Sequence, residues 1–309
     1  MQNLIEIIFS VSFGYAVLRV MTPILFAALG AVVSDQAGVI NIGLEGMMLT
    51  SAFTGVVVSA YTESAWLGLA AGVVAATLMA LLMGYFSLKL KTDIILAGIA
   101  MNLLASGGTV FLLYVIAHDK GVSSSLASKV LPQLELPIIK DIPVLGAILS
   151  NHNVLTYIAL LSVIVVYYFL YRTPLGLRLR AVGENAHAAE SVGVGVHRVQ
   201  FIALAISGML AGFGGAHLSM GYVSWFSRDM TAGRGFIGLA AEALGGRTPF
   251  GTLVASLFFG FADALSNYLQ SLRVPSEFVQ MIPYLATVLG LAIYAQRQRA
   301  KKALLSKKG

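Results

Sequence analysis

A few polar residues stand inside long apolar runs, and each asks for a chemical reason to be there. Asn41 and Glu45 are four residues apart, which is the spacing of one helix face. Two readings of the pair stay open: they line a polar translocation path, or they sit at headgroup level beside Asp35. Asn102 lies in the middle of the charge-free run Ile94–His118. Its amide suits either a sugar hydroxyl or a hydrogen bond between helices, and the second is the expected use. Glu242 lies in the short stretch Gly235–Gly246, flanked by Arg234 and Arg247. A carboxylate or arginine at the centre of a membrane span costs about 2.5–3.5 kcal/mol on insertion scales. Asp35 and Asp93 are expected at the headgroups, and Trp225 with Phe226 as an interfacial aromatic pair. Ser207 and His217 fall short of a hydrolytic site, because Ala205-Ile206-Ser207-Gly208 lacks the first glycine of Gly-x-Ser-Gly. Ser207 is read as a packing residue.

The solvent of the chain follows from composition. Of 309 residues, 58% are hydrophobic and 11% charged, with a mean hydropathy of +0.84. Soluble domains are about 25% charged, so a soluble enzyme, a disordered protein and a nucleic-acid binder are all excluded as first readings. No cysteine is present, which removes disulfides and thiolate metal sites. The five histidines lack metal-ligand spacing. No GxxxxGK[ST] motif occurs, so the chain is not expected to hydrolyse ATP. The first residues carry Glu6 and no basic cluster, and a cleaved signal peptide is not expected.

A bilayer span needs about 20 mostly apolar residues. The candidates are Gly46–Thr62, Ser64–Leu88, Ile94–His118, Val154–Tyr171, Val199–Ser227, a run from Thr248 to about Gln270, Phe278–Gln296, and at least one helix within the first 33 residues. These make eight clear spans. The expected fold is all-α: a polytopic membrane helical bundle of about 8–10 transmembrane helices, with a broken or half helix near 235–246, a stretch too short to cross. Small residues four apart (Gly68 and Gly72, Ala80 and Gly84, Gly208 with Gly212 and Ala216) are read as close helix packing.

The net charge is +6. Thirteen of the 20 basic residues, including Lys89, Arg172, Arg180, Arg198, Arg247 and the C-terminal tail, fall on one side of the alternating spans. That side is expected to be cytoplasmic, which puts the C-terminus inside. Arg19 and Arg234 are ambiguous. Residues 119–153, with Pro132, Pro137 and Pro143, read as an irregular extracytoplasmic loop with room for one interfacial helix. Residues 172–198 read as a cytoplasmic segment. There, Pro174 and Gly176 break the incoming helix, Asn185 caps a two-turn helix over Asn185–Val192, and Gly183 and Gly193 act as stops. So short a helix is marginal in water and needs something to pack on.

The run from Arg180 through Gly183, Glu184, Asn185, Ala189 and Gly193 to FIALAISGMLAGFGGA (Phe201–Ala216) resembles the permeases of ATP-binding-cassette (ABC) importers of the branched-chain amino acid, ribose and nucleoside type. GVINIGLEGMMLTSAF (Gly38–Phe53) and GRGFIGLAAEALGGRTPFGTLVASLFFG (Gly233–Gly260) are similar to its nucleoside and simple-sugar branch. The resemblance covers nearly the whole chain as a single permease domain, 1–309. It implies a multi-pass protein of the bacterial cytoplasmic membrane, with no cofactor of its own. ATP and Mg would be bound by a partner ATPase. A second, dissimilar permease chain and an extracytoplasmic substrate-binding lipoprotein or periplasmic protein would complete the assembly. It also implies that Arg180, Gly183, Glu184, Asn185, Ala189 and Gly193 form a coupling helix docked on the ATPase. Nucleosides are the expected substrate, with simple sugars or branched-chain amino acids as the alternative.

Overall fold

The computed structural model describes residues 10–135 and 145–271. Seven helices in this range are long and apolar enough to cross a membrane. They are α1 (Val11–Asp35), α2 (Leu44–Thr62), α3 (Ala65–Gly84, extended by a π turn over Tyr85–Lys89) and α4 (Ile94–Ala117), followed after a short helix α5 (Leu145–Leu149) by α6 (Val154–Arg172). Then come two short helices, α7 (Pro174–Glu184) and α8 (Ala186–Ser191), the long α9 (Val196–Met220), the half-helix α10 (Arg234–Leu244) and α11 (Pro249–Ser271). The expected span Phe278–Gln296 lies outside the described residues, as does the C-terminal tail.

Local chemistry sets the helix starts. Asp93 takes the amides of Ile95 and Leu96 at 2.9 and 3.0 Å and begins α4. Asn153 takes the Leu155 amide at 3.0 Å and begins α6. Thr173 takes the Gly176 amide at 3.1 Å and begins α7, with Pro174 at the first position, where a missing N–H costs nothing.

α1 is the central post. Its residues from Met21 to Ser34 are all buried, among α9, α10 and α11. Close approach depends on glycine. A Cβ on Gly68 would stand 2.6 Å from the Gly55 carbonyl, and one on Gly215 would strike the Met48 carbonyl. At the periphery, α3, α4 and α6 turn Leu78, Leu103, Phe111, Ile164 and Tyr168 outward. Such an apolar surface belongs against acyl chains.

The two ends of the 119–153 region differ in detail from an irregular loop. Gln133–Leu134 pairs antiparallel with His152–Asn153, which the sequence did not suggest, while α5 is a short helix of the kind the loop had room for. α9 ends at Met220, earlier than the charge-free run to Ser227 suggests, where the Met220 and Gly221 carbonyls are taken by Leu131 N at 2.8 Å and Asn153 Nδ2 at 2.9 Å instead of by a further helical turn. Phe226 corrects the aromatic-pair reading. It is fully buried against Phe53, with ring centroids 5.4 Å apart, whereas Trp225 is exposed. Its backbone is clamped to Ser123 on both sides, at 2.8 and 2.9 Å.

Candidate functional site

The irregular segment 36–43 between α1 and α2 decides where the polar residues go. It lies beside Asn102, about 12 Å along α4 from its start at 1.5 Å per residue. Unwound backbone at that depth must find partners inside the protein. Asn102 supplies two hydrogen bonds here: its Nδ2 donates to the Ile42 carbonyl at 2.9 Å, and its Oδ1 accepts the first-turn amide of α2, Gly46 N–H, at 2.8 Å. Asn41 supplies a third, its Oδ1 accepting the Gly43 amide at 3.1 Å while its Nδ2 donates to Ser207 Oγ at 2.9 Å. Asn41 is therefore outside helix α2, a correction to the shared helix face expected for Asn41 and Glu45; the Gly43-Leu44 junction starts the helix too late to include it.

Glu45, in the first turn of α2, reaches across to the half-helix. Its two carboxylate oxygens accept the amides of Gly233 and Gly235, each at 2.7 Å. A helix N-terminus presents unpaired N–H groups and a partial positive charge. A carboxylate there is the natural partner. Glu45, itself half-buried, closes the start of α10.

Glu242 stands at the opposite end of α10. It is buried and faces Arg247, whose Nε lies 4.0 Å from Glu242 Oε1 and 3.0 Å from Asp35 Oδ2. Gln36 Nε2 donates to the Arg247 carbonyl at 2.9 Å. Two carboxylates share one arginine where α1 ends and α10 ends. The structure brings Asn41, Glu45 and Asn102 together around segment 36–43 and leaves Glu242 apart from them.

The 172–198 segment is two helices. Gly183 is a correction: it lies inside α7 and is no stop. Its missing side chain lets α7 rest on the turn after α1, since a Cβ would strike the Gln36 carbonyl and approach Gly38 N at 3.1 Å. Arg180 folds back on α6, donating from Nε to the Leu170 carbonyl at 3.0 Å, with its guanidinium 4.8 Å from the Tyr171 ring centroid. Asn185 caps α8 by accepting the Ala188 amide at 3.0 Å. Gly193 ends it with φ +83°. Ala189 is buried and pins α8 to the bundle, while Glu184, Asn185 and Val192 are exposed.

A cavity of about 380 Å³ opens between α1, α9 and α11 at the start of α10. Arg19, His217, Tyr222, Arg234 and Asn267 line it. Arg234 pairs with Asp263 at 3.0 Å. The Arg19 guanidinium lies over the Tyr222 ring, 4.2 Å from its centroid.

Residues 15–292 match the family model described as branched-chain amino acid transport system / permease component. The chain belongs to that family. Among permeases, it is 35% identical over 299 residues to the guanosine ABC transporter permease protein NupQ of Bacillus subtilis, covering 93% of each chain. It is 33% identical to the nucleoside ABC transporter permease protein NupC of Lactococcus lactis, covering 91% of this chain and 92% of that one. In fold it is similar to an ABC transporter solved in an inward-facing conformation, with a TM-score of 0.54 at 18% identity, over 94% of this chain and 88% of that one. This permease is thus a multi-pass membrane protein of a transport system.

Sequence reasoning missed the Arg19–Tyr222 stack and the Arg234–Asp263 pair in this permease. Their only signal was charge: Arg19, Arg234 and Asp263 each interrupt an apolar run, and an ionised group in a span needs a partner.

Proposed function

We propose that this chain is the transmembrane subunit of an ABC importer and forms the path for nucleosides by alternating access. What carries the reading is full-length likeness to two nucleoside-type permeases at 33–35% identity, joined to a bundle that contains a buried half-helix. Broken helices at membrane depth line substrate paths where a soluble fold would have no use for them. In this proposal a separate ATPase dimer binds ATP and Mg and docks on α7 and α8, a second and dissimilar permease chain completes the path, and an extracytoplasmic binding protein delivers substrate. Residues 172–198 and the C-terminus are cytoplasmic, and residues 119–153 face outward.

The short α8, capped at Asn185, stopped at Gly193 and buried only at Ala189, has the form of a docking peg. Motion of α7 would pass through the Gly183–Gln36 contact into segment 36–43, and from there through Glu45 to α10. Bistable packed contacts of this kind carry rigid-body displacements.

The test is uptake of radiolabelled guanosine and uridine by cells that lack this chain, with and without its restoration. Restored, ATP-dependent uptake together with co-purification of an ATPase is expected. Undiminished uptake in cells lacking the chain, or no ATP-binding partner in mild detergent, overturns the proposal.

A further inference from the structure

Among the described residues, the cavity beside α10 has an unbalanced charge, and tracing each partner shows which one. Half-helix N-termini in transporters commonly receive anionic substrate groups. Here that position is filled from within, because Glu45 already accepts the Gly233 and Gly235 amides at 2.7 Å. Arg234 is neutralised by Asp263 at 3.0 Å. Arg19 is left. Among the described residues it has no carboxylate partner, and it is exposed on the cavity wall. Its neighbour is the face of Tyr222 at 4.2 Å, which holds a guanidinium without neutralising it.

Tyr222 is itself fixed. Its hydroxyl meets His152 Nδ1 at 3.0 Å and accepts the Asn153 amide at 3.3 Å. His152 Nε2 is spoken for by the Ile148 carbonyl at 2.8 Å. That carbonyl can only accept, so Nε2 carries the proton and Nδ1 accepts from Tyr222. The chain His152–Tyr222–Arg19 therefore holds a guanidinium at the edge of a cavity of about 380 Å³, within the range of small-molecule sites. Such a fork with free donors seeks two adjacent acceptors in one plane.

We infer that this cavity holds the nucleoside in transit and that Arg19 reads its base edge, favouring 6-oxopurines over adenine. The inference rests on the nucleoside reading above. A guanine or hypoxanthine base offers O6 and N7 side by side, the commonest bidentate partner of arginine, whereas adenine places an amino donor where O6 would be. Asn267, exposed on the α11 wall, adds a donor and an acceptor for sugar hydroxyls. As the one uncompensated positive charge on this wall among the described residues, Arg19 also makes the cavity hostile to cations.

The experiment uses full-length chain with its co-purifying partners in nanodiscs, without the binding protein, so that selection upstream does not enter. Equilibrium dialysis with tritiated guanosine, inosine and adenosine reads the affinity ratios. Wild type is expected to favour guanosine and inosine by about tenfold. Arg19→Met is expected to bring the ratio near one, chiefly by weakening the oxopurines. Arg19→Lys, which keeps the charge and loses the fork, is expected to lose most of the preference too, and it decides the matter if Arg19→Met is not recovered from membranes. A wild-type ratio near one, or a ratio unchanged in Arg19→Lys, overturns the inference while leaving nucleoside transport standing. Absence of any nucleoside binding together with absence of uptake overturns both.

Discussion

Glu45 Oε2 accepts the amide of Gly235 at 2.7 Å, and a Cβ on Gly235 would stand 2.6 Å from the Glu45 backbone nitrogen. The first turn of α2 and the first turn of the half-helix therefore touch backbone to backbone, with one carboxylate closing the junction. Replacing Glu45 by Gln leaves an amide group facing a backbone N–H. A hydrogen bond to a charged group is worth about 1.5–3 kcal/mol, and the loss is expected in that range for Glu45→Gln. Gly235→Ala should separate the two helices and cost at least as much. Detergent melting of the purified chain checks both, and a midpoint equal to wild type for Glu45→Gln would contradict the capping role.

Asn102 makes a second, independent prediction. It bonds both the Gly46 amide and the Ile42 carbonyl, so Asn102→Leu leaves the donor of buried Gly46 and the acceptor of half-buried Ile42 unpaired. Each unsatisfied group costs about 1–3 kcal/mol. Asn102→Asp keeps the bond to Gly46 but sets a carboxylate against the Ile42 carbonyl. Both variants are expected to melt lower than wild type, with Asn102→Leu retaining less nucleoside uptake than the change in protein amount explains. Normal uptake at normal amount would show that segment 36–43 finds other partners.

Gly183 and Gly193 separate two uses of glycine. Gly183 is needed for space, since its Cβ would meet the Gln36 carbonyl, while Gly193 has nothing within 4 Å and is needed for its φ of +83°. Gly183→Ala must shift α7 against the turn after α1. It is expected to lower uptake at least tenfold while the assembled ATPase still hydrolyses ATP. Gly193→Ala costs about 1–2 kcal/mol of local backbone strain and should lower uptake far less. Uptake and ATP hydrolysis measured on the same preparations distinguish the two, and equal losses would remove Gly183 from the transmission route.

The seven described spans were legible because a run of about 20 residues without charge has one stable use in lipid. The half-helix was legible because the stretch between Arg234 and Arg247 is too short to cross. Asn185 and Gly193 were legible as helix ends, since capping is a contact between near neighbours in sequence. What escaped was tertiary. Glu45 and Gly235 are 190 positions apart, so nothing local says that one closes the other. Gly183 reads as a stop from sequence because its true partner, the Gln36 carbonyl, belongs to another element. Asn41 matched a helical spacing that the chain does not follow, because its side chain serves the unwound backbone instead. Phe226 reads as interfacial beside Trp225 until Ser123 and Phe53 are seen to enclose it.

His152 carries a prediction about pH. It lies outside the spans, is fully buried, and has both ring nitrogens engaged, with Tyr222 and with the Ile148 carbonyl. Burial pushes its pKa below the ordinary 6.5, the Ile148 carbonyl opposes this, and the Arg19 charge lowers it further. Protonation would also place a second donor against Tyr222 and disturb the stack that holds Arg19. As pH falls through 6.5 the unfolded chain takes up a proton that the folded chain refuses, so stability is full above 6.5 and declines below it, until the folded imidazole also titrates. The slope from one such group is at most about 1.4 kcal/mol per pH unit. Melting of the detergent-solubilised chain at pH 7 and pH 5 is expected to show a fall that His152→Gln reduces. If the variant loses as much stability as wild type over that interval, the acid sensitivity belongs to other groups and the His152–Tyr222 contact is not its source.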